Sequence, residues 1–247
     1  MGSEMCIRDR SLTTQVQFLV EQVVDNRRAD SRAACAAALG EVYSRVGGLN
    51  ASPLTRTVSC LLLSLAGDPH PGVHYSALDA LARVVEAASL AYAPYVSGTL
   101  GLLARLYAAP THEPDGGSAG SANLRVGLPA YAGIARVVGA LVGVLGPELR
   151  ESVSKSKLVC ALLFELARET DPSVACDALS ALQRLGLVAP DVLATRAWAE
   201  LLRGALASAH APLARAAAAA YYQMAQCGTA WLAQYGGRGP PEKQVSQ

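Results

Sequence analysis

Histidine, cysteine and glycine at the right spacing are the residue types of this chain that could support metal, thiol or phosphate chemistry. His70 and His74 are four apart, a spacing that on one helix face could hold a metal ion. Pro71 between them puts His70 in the turn before a helix, and both are expected to be solvated turn residues. His112 falls in a turn-rich insertion and His210 in a turn between helices. The cysteines, Cys6, Cys35, Cys60, Cys160, Cys176 and Cys227, include no C-x-x-C pair, and no signal-peptide pattern is visible. Each is expected to pack as a small hydrophobe in a reducing, cytosolic compartment. There is no nucleophile elbow, no Walker-type Gly-Lys-Ser/Thr and no Gly-x-Gly-x-x-Gly opening a helix. Gly139 and Gly143 suit close helix contacts better than a phosphate cradle. No residue is assigned a catalytic, cofactor-binding or metal role, and the chain is not expected to be an enzyme.

Binding chemistry offers somewhat more. Arg150, Lys155 and Lys157, with Glu148 and Glu151, could form a small basic patch, although a solvated helix start explains them equally simply. Arg27 and Arg28 are similarly weak. Trp198 and Trp231 could anchor a partner, since Trp is enriched at interface hot spots. Trp198 stands at helical spacing from Leu201 and Leu202, which favours the core. Across 247 residues, 21 basic against 20 acidic side chains leave a formal +1, which argues against a dedicated binder of nucleic acid or acidic membranes. The longest charge-free stretch, Ala87 to Ala104, carries Pro94, Gly98 and Gly101 and fails as a membrane span.

What must position such surface residues is legible as an internal repeat. Val73, Ser76, Ala77, Ala80, Leu81 and Val84 define a helical template that recurs from Val174, from Leu213, from Ser31 and, more weakly, from Ala130. Asp177 is the one clearly polar residue at its positions. Copies starting at 31, 73, 130, 174 and 213 give a period near 40, that of a two-helix solenoid unit. The one long interval contains the insertion Pro110 to Ser121. Partner helices are expected near Ser52 to Ala66, Tyr92 to Ala108, Ser152 to Arg168 and Asp191 to Ala207, with a first helix over Leu12 to Val24. Asp68-Pro69 and Asp171-Pro172 mark helix starts, and Gly47, Gly67, Gly146 and Gly228 mark helix ends. No stretch alternates with period 2 for long, so the expected fold is all-α: a right-handed α-solenoid of about five helix pairs.

Asp68-Pro69 and Asp171-Pro172, each followed by Val, small residues and Ala-Leu, resemble the second helix of HEAT repeats. Only Arg32 fills the basic position after the first apolar one; His74, Tyr131, Ala175 and Ala214 stand there in the other copies, so the resemblance does not carry that family's Asp–Arg ladder along the chain. Over most of Ser64 to Gln226 the chain is similar to the HEAT repeat-containing protein five family, through Tyr75 to Leu81, Tyr92 to Leu102 and Val142 to Leu149. That resemblance implies a cytosolic scaffold that accompanies the clathrin adaptor of the trans-Golgi network and endosomes. It would bind adaptor-complex proteins through a concave surface, touch membranes only indirectly and use no cofactor. A nuclear transport receptor or a phosphatase scaffold would share the same periodicity.

Three expectations concern organisation. Residues 1–10 contain Met5 to Arg10, which look like one translated frame of a sequencing adaptor, and are set aside as an artefactual, disordered leader. The chain is then a fragment of a longer solenoid whose upstream repeats would stack on the stripe Val16, Leu19, Val20, Val23 and Val24. The solenoid is expected over 11–235 with a flexible loop at 109–123 and a disordered tail at 236–247.

Overall fold

In a computed structural model of the chain, residues 2–47, 51–108, 130–146, 148–193 and 195–227 are described, and among them every regular element is helical. The ten principal helices are α1 (Gly2–Asp25), α2 (Ala29–Val46), α3 (Ala51–Gly67), α4 (Pro71–Ala88), α5 (Val96–Ala108), α6 (Ala130–Leu145), α7 (Val153–Leu166), α8 (Pro172–Val188), α9 (Arg196–Leu206) and α10 (Ala211–Cys227). They pair in sequence, odd with even, and the even-numbered helices stack in one continuous row, α2 on α4 on α6 on α8 on α10. α1 lies on α3, and α3 on α5, as a second layer. No single pair buries its own stripe; each is completed by the next, which is how a solenoid becomes stable. The loop at 109–123, Trp231 and the tail at 236–247 lie outside the described residues.

The row is tight because small residues stand where helices cross. A Cβ on Gly40 of α2 would sit 2.7 Å from Ala80 Cα, and one on Gly133 of α6 would sit 2.9 Å from Leu78 Cβ, both on α4. One on Gly139 would sit 3.0 Å from Ala181 Cβ on α8. Gly143, expected to make a similar contact, faces open space. In α4 the expected stripe is buried at Val73, Ala77, Ala80, Leu81 and Val84, and Ser76 is half-buried. In α2 the buried residues are Ala36, Leu39, Gly40 and Tyr43; of the expected positions only Leu39 is fully buried, Ser31, Cys35, Ala38 and Val42 are half-buried, and Ala34 is exposed. α2 begins the row and has a neighbour there on one side only, so its contact face turns toward α4.

Helix boundaries differ from the expectation where proline and capping act. Pro94 lies in a 3₁₀ segment, Ser89–Tyr95, so α5 begins at Val96 and not at Tyr92. The expected helix from Asp191 is a single turn, Pro190–Leu193, followed by α9, whose first turn is capped by Thr195 Oγ1 accepting from Trp198 N–H at 3.3 Å. His70 caps α4, its Nδ1 accepting from Gly72 N–H, while Asp68 supports that turn by accepting from His70 N–H at 2.9 Å. Asp171 does cap α8, accepting from Ser173 N–H at 2.8 Å.

α1 starts at Gly2, so helix runs through residues expected to be a disordered leader. Its stripe is not the open surface that was expected. α1 packs on both α2 and α3; Val16 and Val23 are buried, Leu19 and Val20 half-buried, and Val24 alone of the five is exposed.

Candidate protein-binding groove

The helical template puts polar side chains at regular places outside its stripe. Ten residues after the template's first position stand Glu41, Arg83, Arg184 and Gln223, and six after it stand Asp79 and Arg136. Stacking the even-numbered helices brings these into register and makes a chain of alternating charges. Arg45 and Arg83 both donate to Glu41, the latter from Nη1 at 2.7 Å. Arg83 Nε reaches Asp79 Oδ2 at 3.1 Å, and Arg136 Nη1 on the next helix reaches Asp79 Oδ1 at 3.0 Å. Arg136 Nε then faces Asp177 Oδ2 of α8 at 3.5 Å, an ion pair without a hydrogen bond. One ladder therefore ties together α2, α4, α6 and α8.

A groove of about 370 Å³ lies over this ladder, lined only by even-numbered helices: Asp79, Arg83 and Glu86 of α4, Arg136 of α6, and Asp177 and Arg184 of α8 carry its charges. Ala82, Ala135, Gly139, Ser180 and Ala181 complete it with small side chains. Arg184 Nη1 meets Glu86 Oε1 at 3.0 Å, joining α8 to α4 across the helix between them. Between them α6 contributes Gly139 to the groove lining, with no side chain to fill it.

The electrostatics divide along the ladder. The Arg45 hydrogen bond, followed by its charge, holds the Glu41 carboxyl below its ordinary value despite partial desolvation. Burial pushes the Asp177 carboxyl up, and the single long contact to Arg136 does not offset it. Asp177 thus keeps a carboxyl raised above its ordinary value, where Glu41 is held below its own.

A second, structural ion pair lies at the edge of the stack. Arg32 of α2 grips Asp68 in the α3–α4 turn with two nitrogens, at 2.6 and 3.1 Å, and also donates to the carbonyls of Asn26 and Arg27 at the end of α1. Burial works against the Asp68 charge, but the Arg32 hydrogen bonds, the His70 N–H and the nearby positive charges outweigh it and hold its carboxyl low. This is the one rung of the family ladder whose basic residue the sequence supplies. In the next repeat His74 occupies that position. It is buried, not solvated as expected: its Nε2–H donates to Asp68 O at 2.7 Å, and burial pushes its pKa down.

The remaining candidates are structural. Trp198 is fully buried and meets Phe164 edge to face, 6.1 Å between ring centres. Lys155 pairs with Glu148 at 2.6 Å, while Arg150 and Lys157 are exposed on separate turns. His210 accepts from Leu213 N–H in the turn before α10. Cys35, Cys60, Cys160 and Cys176 are free thiols, and among the described residues no three His, Cys, Asp or Glu side chains could share a metal ion. No described helix is long and apolar enough to cross a membrane.

No protein-family model matches the sequence. Among solved structures, an archaeal HEAT-like repeats protein from Thermococcus onnurineus NA1 superposes with a TM-score of 0.50, at 15% identity over 85% of this chain and 70% of its own. A designed armadillo repeat protein gives 0.56 at 13% identity, covering 91% and 94% of the two chains. Computationally designed armadillo repeat proteins for modular peptide recognition give 0.53 at 15% identity, covering 90% and 94%. The chain thus has the fold of the HEAT and armadillo repeat solenoids.

Proposed function

We propose that this chain is a non-enzymatic protein-interaction scaffold of clathrin-adaptor-linked traffic between the trans-Golgi network and endosomes. The observation that carries the scaffold reading is the groove across α4, α6 and α8. It is open, runs over three successive repeats, and offers ionic and hydrogen-bonding groups at helix-to-helix spacing, which a protein segment can match. Solved armadillo designs of the same fold made for modular peptide recognition are in keeping with it. The trafficking role is supported by the resemblance of Tyr75 to Leu81, Tyr92 to Leu102 and Val142 to Leu149 to the HEAT repeat-containing protein five family. In this reading the partners are clathrin adaptor subunits, and the protein sits peripherally at trans-Golgi and endosomal membranes, held there through them. Proximity labelling of the full-length protein in its own cells tests it. Adaptor subunits are expected; a nuclear-pore or phosphatase set of neighbours would replace the trafficking role with a different scaffold function.

A further inference from the structure

The groove carries information about its occupant, because its charges are unequally satisfied. Both Asp79 oxygens are engaged, one by Arg83 and one by Arg136. Each guanidinium in the groove already faces a carboxylate: Arg83 has Asp79 and Glu41, Arg136 has Asp79, and Arg184 has Glu86. Asp177 differs. Among the described residues it accepts no hydrogen bond, its only ionic neighbour is Arg136 Nε at 3.5 Å, and its side chain is about one-third accessible from the groove. It is half-buried, receives no donor from the described residues and opens to the groove, so its oxygens are available to a donor from a partner.

The second observation is the Arg184–Glu86 pair. It stands seven residues further along both helices, about two turns or ~10 Å from the Asp79–Asp177 level. Both side chains are 53% accessible, so the pair contributes little net free energy and is easily exchanged for another. Opening it would free a second carboxylate, Glu86, on the α4 wall of the groove, opposite the α8 wall that carries Asp177. We infer that the groove takes a protein segment carrying two cationic side chains at least ~10 Å apart, one donating to Asp177 and the other replacing Arg184 on Glu86. Two Lys or Arg residues four positions apart in an extended strand point to the same side and stand ~13 Å apart, within reach of both carboxylates. An acidic segment would find no uncommitted guanidinium and would face Asp177.

The inference rests on the scaffold reading and names the chemistry of its partner. It is tested with the purified chain and two fluorescein-labelled peptides, nona-arginine and nona-glutamate, by anisotropy at physiological salt. Nona-arginine is expected to bind and nona-glutamate not to. D177N should weaken nona-arginine binding at least tenfold. R184A should tighten it severalfold by releasing Glu86, whereas R150A, which removes the same charge from an exposed site outside the groove, should change it much less. Should D177N fail to melt cooperatively, S180R takes its place, because it sets a cation in the groove from an exposed position and should abolish binding. Unchanged affinity in D177N or S180R, equal binding of nona-glutamate, equal effects of R184A and R150A, or no binding of nona-arginine would each overturn the inference. None of these outcomes bears on the scaffold reading itself, which stands or falls on the proximity-labelling neighbours.

Discussion

Replacing Gly40 with alanine, alongside the same change at Gly101, isolates what holds the row of even-numbered helices together. In an open helix the substitution is favourable by roughly 0.5–1 kcal/mol, because Ala loses less backbone freedom than Gly. Gly101 in α5 has nothing within 4 Å of the added methyl, so G101A should gain that amount in full. At Gly40 the methyl would stand 2.7 Å from Ala80 Cα, 3.0 Å from Ala80 Cβ and 3.3 Å from Arg83 Cδ. The nearest atom is backbone, which no rotamer change can move aside. Restoring ordinary contact requires α2 and α4 to part by about 1 Å along their crossing, which loosens the packing around Leu39 and Leu81 and strains the Glu41–Arg83 rung. Overpacking of this kind costs ~2–3 kcal/mol, and after the helix-propensity gain G40A should be destabilised by about 1–2 kcal/mol. Urea unfolding followed by circular dichroism measures both variants. A G40A protein as stable as the parent, or one that shifts in the same direction as G101A, would refute the close-approach explanation of the row.

Arg32→Met should cost about 3 kcal/mol, since it leaves the buried Asp68 carboxylate without its bidentate partner and two α1 carbonyls without a donor; the R32M/D68N double variant, measured in urea, should recover part of that loss. The same pair sets a pH dependence. Because the folded state holds the Asp68 carboxyl low, its contribution is complete above the ordinary value near ~4 and is lost as pH falls through the folded value, so stability should drop in acid, and less steeply in D68N. Asp177, pushed up by burial, acts with the opposite sign, and D177N should steepen the acid loss. Burial raises the thiols of Cys60 and Cys160 to about 11, so at pH 8 iodoacetamide should label them only on unfolding; rapid labelling of the native protein would contradict their placement.

Much of the architecture follows from periodicity alone. The stripe of α4 and α8 could be read residue by residue because apolar and small side chains recur every 3.6 positions, and burial imposes that spacing on any helix covered along one side. Trp198 was assignable to the core for the same reason. The template was less reliable at the edge of the stack. In α2 it selects Ser31, Ala34, Cys35, Ala38, Leu39 and Val42, of which the structure fully buries only Leu39, beside Ala36, Gly40 and Tyr43. Alanine is too neutral to fix which face turns inward, so neighbours decide it. His74 shows the converse error: a residue near a proline turn was expected in solvent, yet the turn folds back over it and supplies the Asp68 carbonyl.

The groove was almost invisible beforehand. One trace was Asp177, a carboxylate in a template that is otherwise apolar or small. Another was the charged residue ten positions after three of the five starts, Glu41, Arg83 and Arg184, which lies outside the buried stripe that defines the repeat. The sequence by itself determined which segments are helices, that they pair, and that the pairs must stack, because each of these follows from local spacing and from apolar surface that one pair cannot cover. Only the tertiary structure decided which charges meet. Arg136 reaches Asp79 across 57 residues and Arg184 reaches Glu86 across 98, distances in sequence that no local pattern encodes. Their partners are set by the register of one helix against the next, and that register is fixed where Gly40, Gly133 and Gly139 let the backbones touch.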